Sequence, residues 1–128
     1  MKPEPFNYQA ALVRVIDGDT AIMRVDLGFH VTAEVSVRLL GVNTPEIRSK
    51  DPKERLGADN AKSFAEKWFS SNTIASPGAD PFRGWPFVVQ TSKGDSFGRW
   101  LGRVWSRRNG DELNQALLDS GHAIVFRS

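Results

Sequence analysis

The chain alternates apolar and polar positions in several short runs before it shows any helical spacing. From Leu12 to Ile16 the residues favour strand, and from Thr20 to Leu27 apolar residues recur with polar ones between several of them. Asp26-Leu27-Gly28 supplies turn chemistry, and a second extended run follows from His30 to Val42. Within it Val31, Ala33, Val35, Val37 and Leu39 share one face, so Arg38 points the other way. A core-facing arginine is expensive, which places Arg38 at the open face or mouth of the sheet.

Residues 48–57 are charged, contain Pro52 and close with Gly57, the composition of an exposed loop. Residues 58–69 carry Ala61, Phe64, Ala65, Trp68 and Phe69 at the spacing of an amphipathic helix, with Asp59 near its start. A connector rich in Ser, Gly and Pro runs from 70 to 85. A third long strand is predicted over 85–91, with Pro86 near its beginning, then a turn over 92–98 and a fourth strand over 99–105. After Asn109-Gly110, a second helix is predicted from an acidic start at Asp111-Glu112, a Leu113, Ala116, Leu117 stripe and Gly121 as its stop. Residues 123–126 add a short closing strand. The total is about five strands and two helices in one β-dominated domain spanning 1–128, with a polar tail at about 1–9. A small barrel suits such a set because closure removes exposed edges.

Composition narrows the chemistry. The chain contains no cysteine, which excludes disulfides, thiol catalysis and thiolate-bound zinc. No apolar run reaches the roughly 18 residues that suggest a membrane span, so no membrane partner is expected. The polar, proline-broken start lacks the pattern of a signal peptide, so a cytoplasmic location is expected, or a secreted one if a targeting segment precedes these residues. The formal net charge of +2 permits nucleic-acid binding without demanding it. Arg99, Arg103, Arg107 and Arg108 crowd one stretch, and Lys50, Lys53 and Arg55 sit beside Asp51 and Glu54. Both groups read equally well as solvated surface or as phosphate contacts.

Three short segments carry candidate chemistry. In Ile16-Asp17-Gly18-Asp19-Thr20 two carboxylates follow a strand, the kind of oxygen pair a hard cation seeks, although the same residues also make an Asp-Gly hairpin with nothing bound. The run from Arg38 to Glu46 combines an arginine, the Asn43 amide, the Thr44 hydroxyl and the Glu46 carboxylate, with Pro45 stiffening the backbone. Its alternative reading is a strand entering a turn capped by Thr44. In Asp95-Ser96-Phe97-Gly98-Arg99 an arginine starts a strand, where its planar fork suits a phosphate or a structural carboxylate.

Together these segments resemble the staphylococcal (thermonuclease-like) nuclease family, through the Asp-Gly-Asp-Thr turn, the Arg-Leu-Leu-Gly-Val-Asn-Thr-Pro-Glu run, the Phe-Gly-Arg turn and the pattern from Leu113 to Gly121. The resemblance implies a five-stranded OB-type barrel with helices and a calcium-dependent phosphodiesterase acting on DNA and RNA, with Mg2+ or Mn2+ as alternative ions. Carried over by position, it implies Asp19 as a metal ligand, Asp17 as an acidic neighbour, and Asn43 and the Thr44 carbonyl as further ligands. It also implies Glu46 as general base and Arg38 and Arg99 as the pair that grips the phosphate. Single-stranded or locally opened nucleic acid is the expected substrate and a monomer the expected state.

The chain departs from that pattern at Asn43, where the family commonly has aspartate, and at Ser96, Phe97 and Arg127. Phe97, Trp100 and Trp105 are candidates for base stacking or for ordinary packing. His30 and His122 read as surface or capping residues. The rival function is a catalytically silent nucleic-acid- or protein-binding module; a purely structural domain is a second rival.

Overall fold

A computed structural model describes residues 6–73, 78, 80–94 and 100–126, with backbone alone at 92–94. The described strands are β1 (Phe6–Asp17), β2 (Thr20–Asp26), β3 (Thr32–Leu39), β4 (Val42–Asn43), β5 (Phe87–Gly94), β6 (Trp100–Ser106) and β7 (Ile124–Val125), and the helices are α1 (Pro52–Ser71) and α2 (Leu113–Asp119). Five strands close into a barrel in the order β1-β2-β3-β6-β5, and β4 pairs with β7 in a separate ribbon. All barrel pairings are antiparallel except β3 with β6. This is the expected OB-type architecture.

Inward positions of the barrel supply the core. Met23, Val37, Phe87, Val89 and Val104 are fully buried. Helix α1 buries Ala58, Ala61, Ala65, Trp68 and Phe69, and the rings of Trp68 and Phe69 pack on Phe87 at centroid distances of 5.5 and 5.0 Å. Such aromatic contacts add to simple area burial.

Several boundaries differ from the sequence expectations. β1 begins at Phe6 and pairs with β5 from Phe6 to Ala10, so the tail predicted over 1–9 gives way to strand there. The predicted loop over 48–57 contains a helix start: Asp51 accepts from Lys53 N–H and Pro52 opens α1. Proline suits that first turn because its missing N–H is not needed there. Thr44 is no cap; its segment has no helix, and Asp51 takes that role. The last strand does not extend the barrel but pairs with β4. Trp85 and Pro86 precede β5 rather than opening it.

Candidate functional site

The site forms where the β1–β2 turn, the end of β3 and the segment after β4 meet. In the β2–β3 register Thr20 lies opposite Arg38, which sets Asp19 beside the guanidinium. Gly41, at φ +81°, turns the chain back on itself after β3, and the returning backbone covers Arg38. The sequence expectation that Arg38 sits at an open face or mouth of the sheet is corrected here: the residue is only 9% exposed, because the returning backbone closes over it.

Burial is tolerated because nearly every donor has a partner. Arg38 Nη1 donates to the Leu39 and Val42 carbonyls, both at 2.8 Å, and Nη2 donates to Asn43 Oδ1 at 3.0 Å. Nη2 also lies 3.4 Å from Asp19 Oδ2. The ring of Phe126 flanks the guanidinium, 5.8 Å from centroid to carbon. Asp19 is held from its other sides: Oδ2 accepts from Thr44 N–H at 3.1 Å and Oδ1 from the Thr20 hydroxyl at 3.1 Å. Asp19 N–H in turn points at Asp17 Oδ1, 3.4 Å away.

The two carboxylates are driven apart in acidity. Burial, then the hydrogen bond and charge of Asp19, push Asp17 up to about 6. Burial would also raise Asp19, but its hydrogen bond with Asp17, the Arg38 charge, Thr44 N–H and the Thr20 hydroxyl outweigh burial and hold it below the usual carboxylate range. Negative charge crowded in this way is relieved by a cation or by a proton.

The structure thus brings Asp17, Asp19, Arg38, Asn43 and Thr44 into one network. Glu46 stands apart as an exposed residue, and it lines a cavity of about 310 Å³ together with Asn43, Thr44 and His122. Arg99 and Phe97 lie outside the described residues. Trp100 is 46% exposed and Trp105 partly buried. His122 packs on Phe64, 4.9 Å between centroids. Three arginines of the basic stretch have structural partners: Arg103 pairs with Glu112 at 3.3 Å, Arg107 donates to the Trp85 carbonyl and Arg108 to the Ser71 carbonyl.

The side-chain oxygens in the network, two carboxylates and the Asn43 amide, are the kind a hard cation takes, and the Thr44 carbonyl is the further oxygen the family resemblance implies. Among the described residues no group of three or more His, Cys, Asp or Glu side chains is placed to hold a metal, so a cation here depends on the neutral oxygens of Asn43 and Thr44 as well.

Gly18 is the hinge of this packing. A Cβ there would lie 2.7 Å from Ala61 Cβ and 2.9 Å from Thr44 Cγ2, so helix α1 and the Thr44 segment both close against the turn. Gly18→Ala is expected to destabilise the protein by about 1–3 kcal/mol through overpacking. Urea denaturation checks this, and an unmoved midpoint would mean the turn is not clamped.

Sequence reading missed Phe126 and Glu54. Phe126 belongs to a short exposed apolar run, and Glu54 was absorbed into the segment read as a loop. No helix among the described residues is long and apolar enough to cross a membrane.

Comparison with known proteins agrees with this architecture. The chain is 28% identical over 140 residues to the uncharacterized protein MJ1439 of Methanocaldococcus jannaschii, covering 95% of this chain and 61% of that protein. It therefore spans less than two thirds of that relative's length. A family model described as Staphylococcal nuclease homologue matches residues 36–128, which take in Arg38, Asn43, Thr44, Glu46 and Arg99, and the contacts of Asp19 with Arg38 and Thr44 join the acidic turn to the first part of that match. With well over half of its length matched, and with a closed five-stranded barrel among the described residues, the chain belongs to the staphylococcal nuclease family.

Proposed function

We propose that this domain is a metal-dependent nuclease that hydrolyses phosphodiester bonds in DNA, RNA or both, with calcium as the working ion. The observation that carries the reading is the network in which Arg38 links Asn43 and Asp19, and Asp19 links Thr44. It gathers oxygen donors and a guanidinium at one end of the barrel, beside the cavity lined by Glu46.

Asp19, Asn43 and the Thr44 carbonyl would hold the cation, with Asp17 as acidic neighbour. A bound divalent cation supplies charge that orients a phosphate and acidifies water. The Glu46 carboxylate accepts a proton from the attacking water, and the resulting hydroxide adds to phosphorus. Arg38 and Arg99 stabilise negative charge on the phosphoryl oxygens as it grows. The bond to the 5′ oxygen breaks, the leaving 5′ oxygen takes a proton from solvent to become a hydroxyl, and the other product keeps a 3′-phosphate. Single-stranded or locally opened substrate suits the reading best.

A second reading, a catalytically silent binding module, draws on one observation. Both terminal nitrogens of Arg38 are already engaged by protein acceptors, so a phosphate must compete with Leu39, Val42, Asn43 and Asp19 for them. The deciding experiment incubates single-stranded DNA and RNA with Ca2+, Mg2+, Mn2+ or a chelator and identifies the product ends. Cation-dependent cleavage to 3′-phosphates supports the nuclease. Intact substrate under every cation, with binding retained, selects the silent module.

The neutral Asn43 gives a further expectation. Asn43→Asp adds one negative charge to the cation shell and is expected to tighten calcium binding on the order of tenfold. Calorimetric titration measures it; unchanged affinity would remove Asn43 from the shell.

A further inference from the structure

Helix α1 meets the site at three points along one face. Glu54, Gly57 and Ala61 are spaced three and four residues apart, so they stack on one side of the helix. Ala61 closes on Gly18. Gly57 runs beneath Pro45, near enough that a Cβ would lie 3.2 Å from its Cγ. Glu54 supplies the third contact: Oε1 accepts from Glu46 N–H at 3.2 Å and Oε2 from the Ser49 hydroxyl at 2.7 Å.

These bonds close a compact unit. Ser49 N–H returns to the Glu46 carbonyl at 3.3 Å, and Ser49 Oγ accepts from Asp51 N–H at 3.1 Å. Asp51 then caps α1. The candidate base is thereby tied through its own backbone to the start of the helix that packs under the acidic turn. The Glu46 side chain has no hydrogen bond or ion pair among the described residues, so its position is inherited from that backbone.

We propose that Glu54 is a positioning residue for the hydrolytic reaction, fixing the Glu46 backbone so that the Glu46 carboxylate faces the cavity it shares with Asn43 and Thr44. The proposal rests on the reading of Glu46 as base. A carboxylate is suited to the task because two donors converge and each takes a separate oxygen. Those same donors hold the Glu54 carboxyl below its ordinary range, keeping it an acceptor.

The test compares wild type, Glu54→Ala, Glu54→Gln, Glu46→Gln and the Glu46→Gln/Glu54→Ala double variant on a single-stranded DNA oligonucleotide with calcium. Glu54→Ala is expected to lower kcat roughly 10- to 100-fold, the scale of a misplaced reacting group, with KM nearly unchanged. Glu54→Gln keeps the length and one acceptor oxygen, so it should recover part of that loss. In the Glu46→Gln background the Glu54→Ala change should have no further effect, because Glu54 acts through Glu46. Hydrogen exchange at the Glu46 amide should quicken in Glu54→Ala. Wild-type kcat in Glu54→Ala, or the same fold loss in both backgrounds, overturns the proposal. If Glu46→Gln loses cleavage while Glu54→Ala keeps it, only the role of Glu54 fails. If Glu46→Gln cleaves normally, or wild type cleaves under no cation, the base assignment itself fails and the positioning role with it.

Discussion

Glu46→Gln is expected to slow cleavage by about 10²–10⁴-fold, the usual contribution of a general base, while leaving the unfolding transition where it is. The separation of the two effects follows from how Glu46 is held. Its side chain is exposed and makes no hydrogen bond or ion pair among the described residues, and the bond it does anchor uses its backbone N–H, which glutamine keeps. Glutamine has nearly the same shape but cannot take a proton from water at neutral pH. The loss should therefore fall on kcat, with KM little changed, because the proposed mechanism assigns the phosphate to the arginines and not to Glu46. Steady-state kinetics and thermal unfolding on the same preparation measure both quantities. Cleavage at the wild-type rate would move the base role to another carboxylate, with Glu54, which lines the same cavity, the first candidate.

That clean behaviour depends on features which the sequence displays unevenly. The alternation through Val35, Val37 and Leu39 made β3 legible and set Arg38 on the opposite side, since strand periodicity needs only neighbouring residues. What covers Arg38 could not be read that way. Its partners come from a reversal at Gly41 and from Phe126, whose N–H bonds the Gly41 carbonyl from far along the chain. The contact between Asp19 and Thr44 likewise joins residues 25 positions apart, and only the barrel register brings them together. Motif order pointed to the same residues through family resemblance, without revealing who bonds to whom.

Helix α1 shows the opposite imbalance. Its buried stripe from Ala61 to Phe69 was evident, but its first turn was hidden because charge and Pro52 gave residues 48–57 the composition of a loop. The Asp51-Pro52 pair was itself a helix start signal, a side-chain cap followed by a proline at the first helical position. Reading those residues as loop concealed Glu54, whose two hydrogen bonds become visible only once the helix is extended back over the Glu46 segment.

Arg38→Ala is expected to differ from Glu46→Gln by damaging fold and chemistry together. At the open mouth of the sheet that its strand position suggested, the arginine could be removed with more harm to the reaction than to folding; its burial revises that expectation. Truncation strips the Leu39 and Val42 carbonyls of their shared donor and leaves Asp19 without its cationic neighbour, at a place where the two side chains are only 11% and 10% exposed. Removing one member of a buried ion pair costs about 3–5 kcal/mol. With a urea slope of about 1–3 kcal/mol per molar, the denaturation midpoint should fall by a molar or more. Cleavage should fall as well, by about 10²–10³-fold per folded molecule, the scale of losing one group that stabilises charge in the transition state. Urea titration followed by kinetics well below the midpoint separates the two losses. Arg38→Lys retains the charge but cannot reach two carbonyls and Asn43 with one planar fork, so it should regain only part of the stability. A midpoint unchanged in Arg38→Ala would show that the network does not hold the site together, and the acidic turn would then have to owe its geometry to α1 and Gly18 alone.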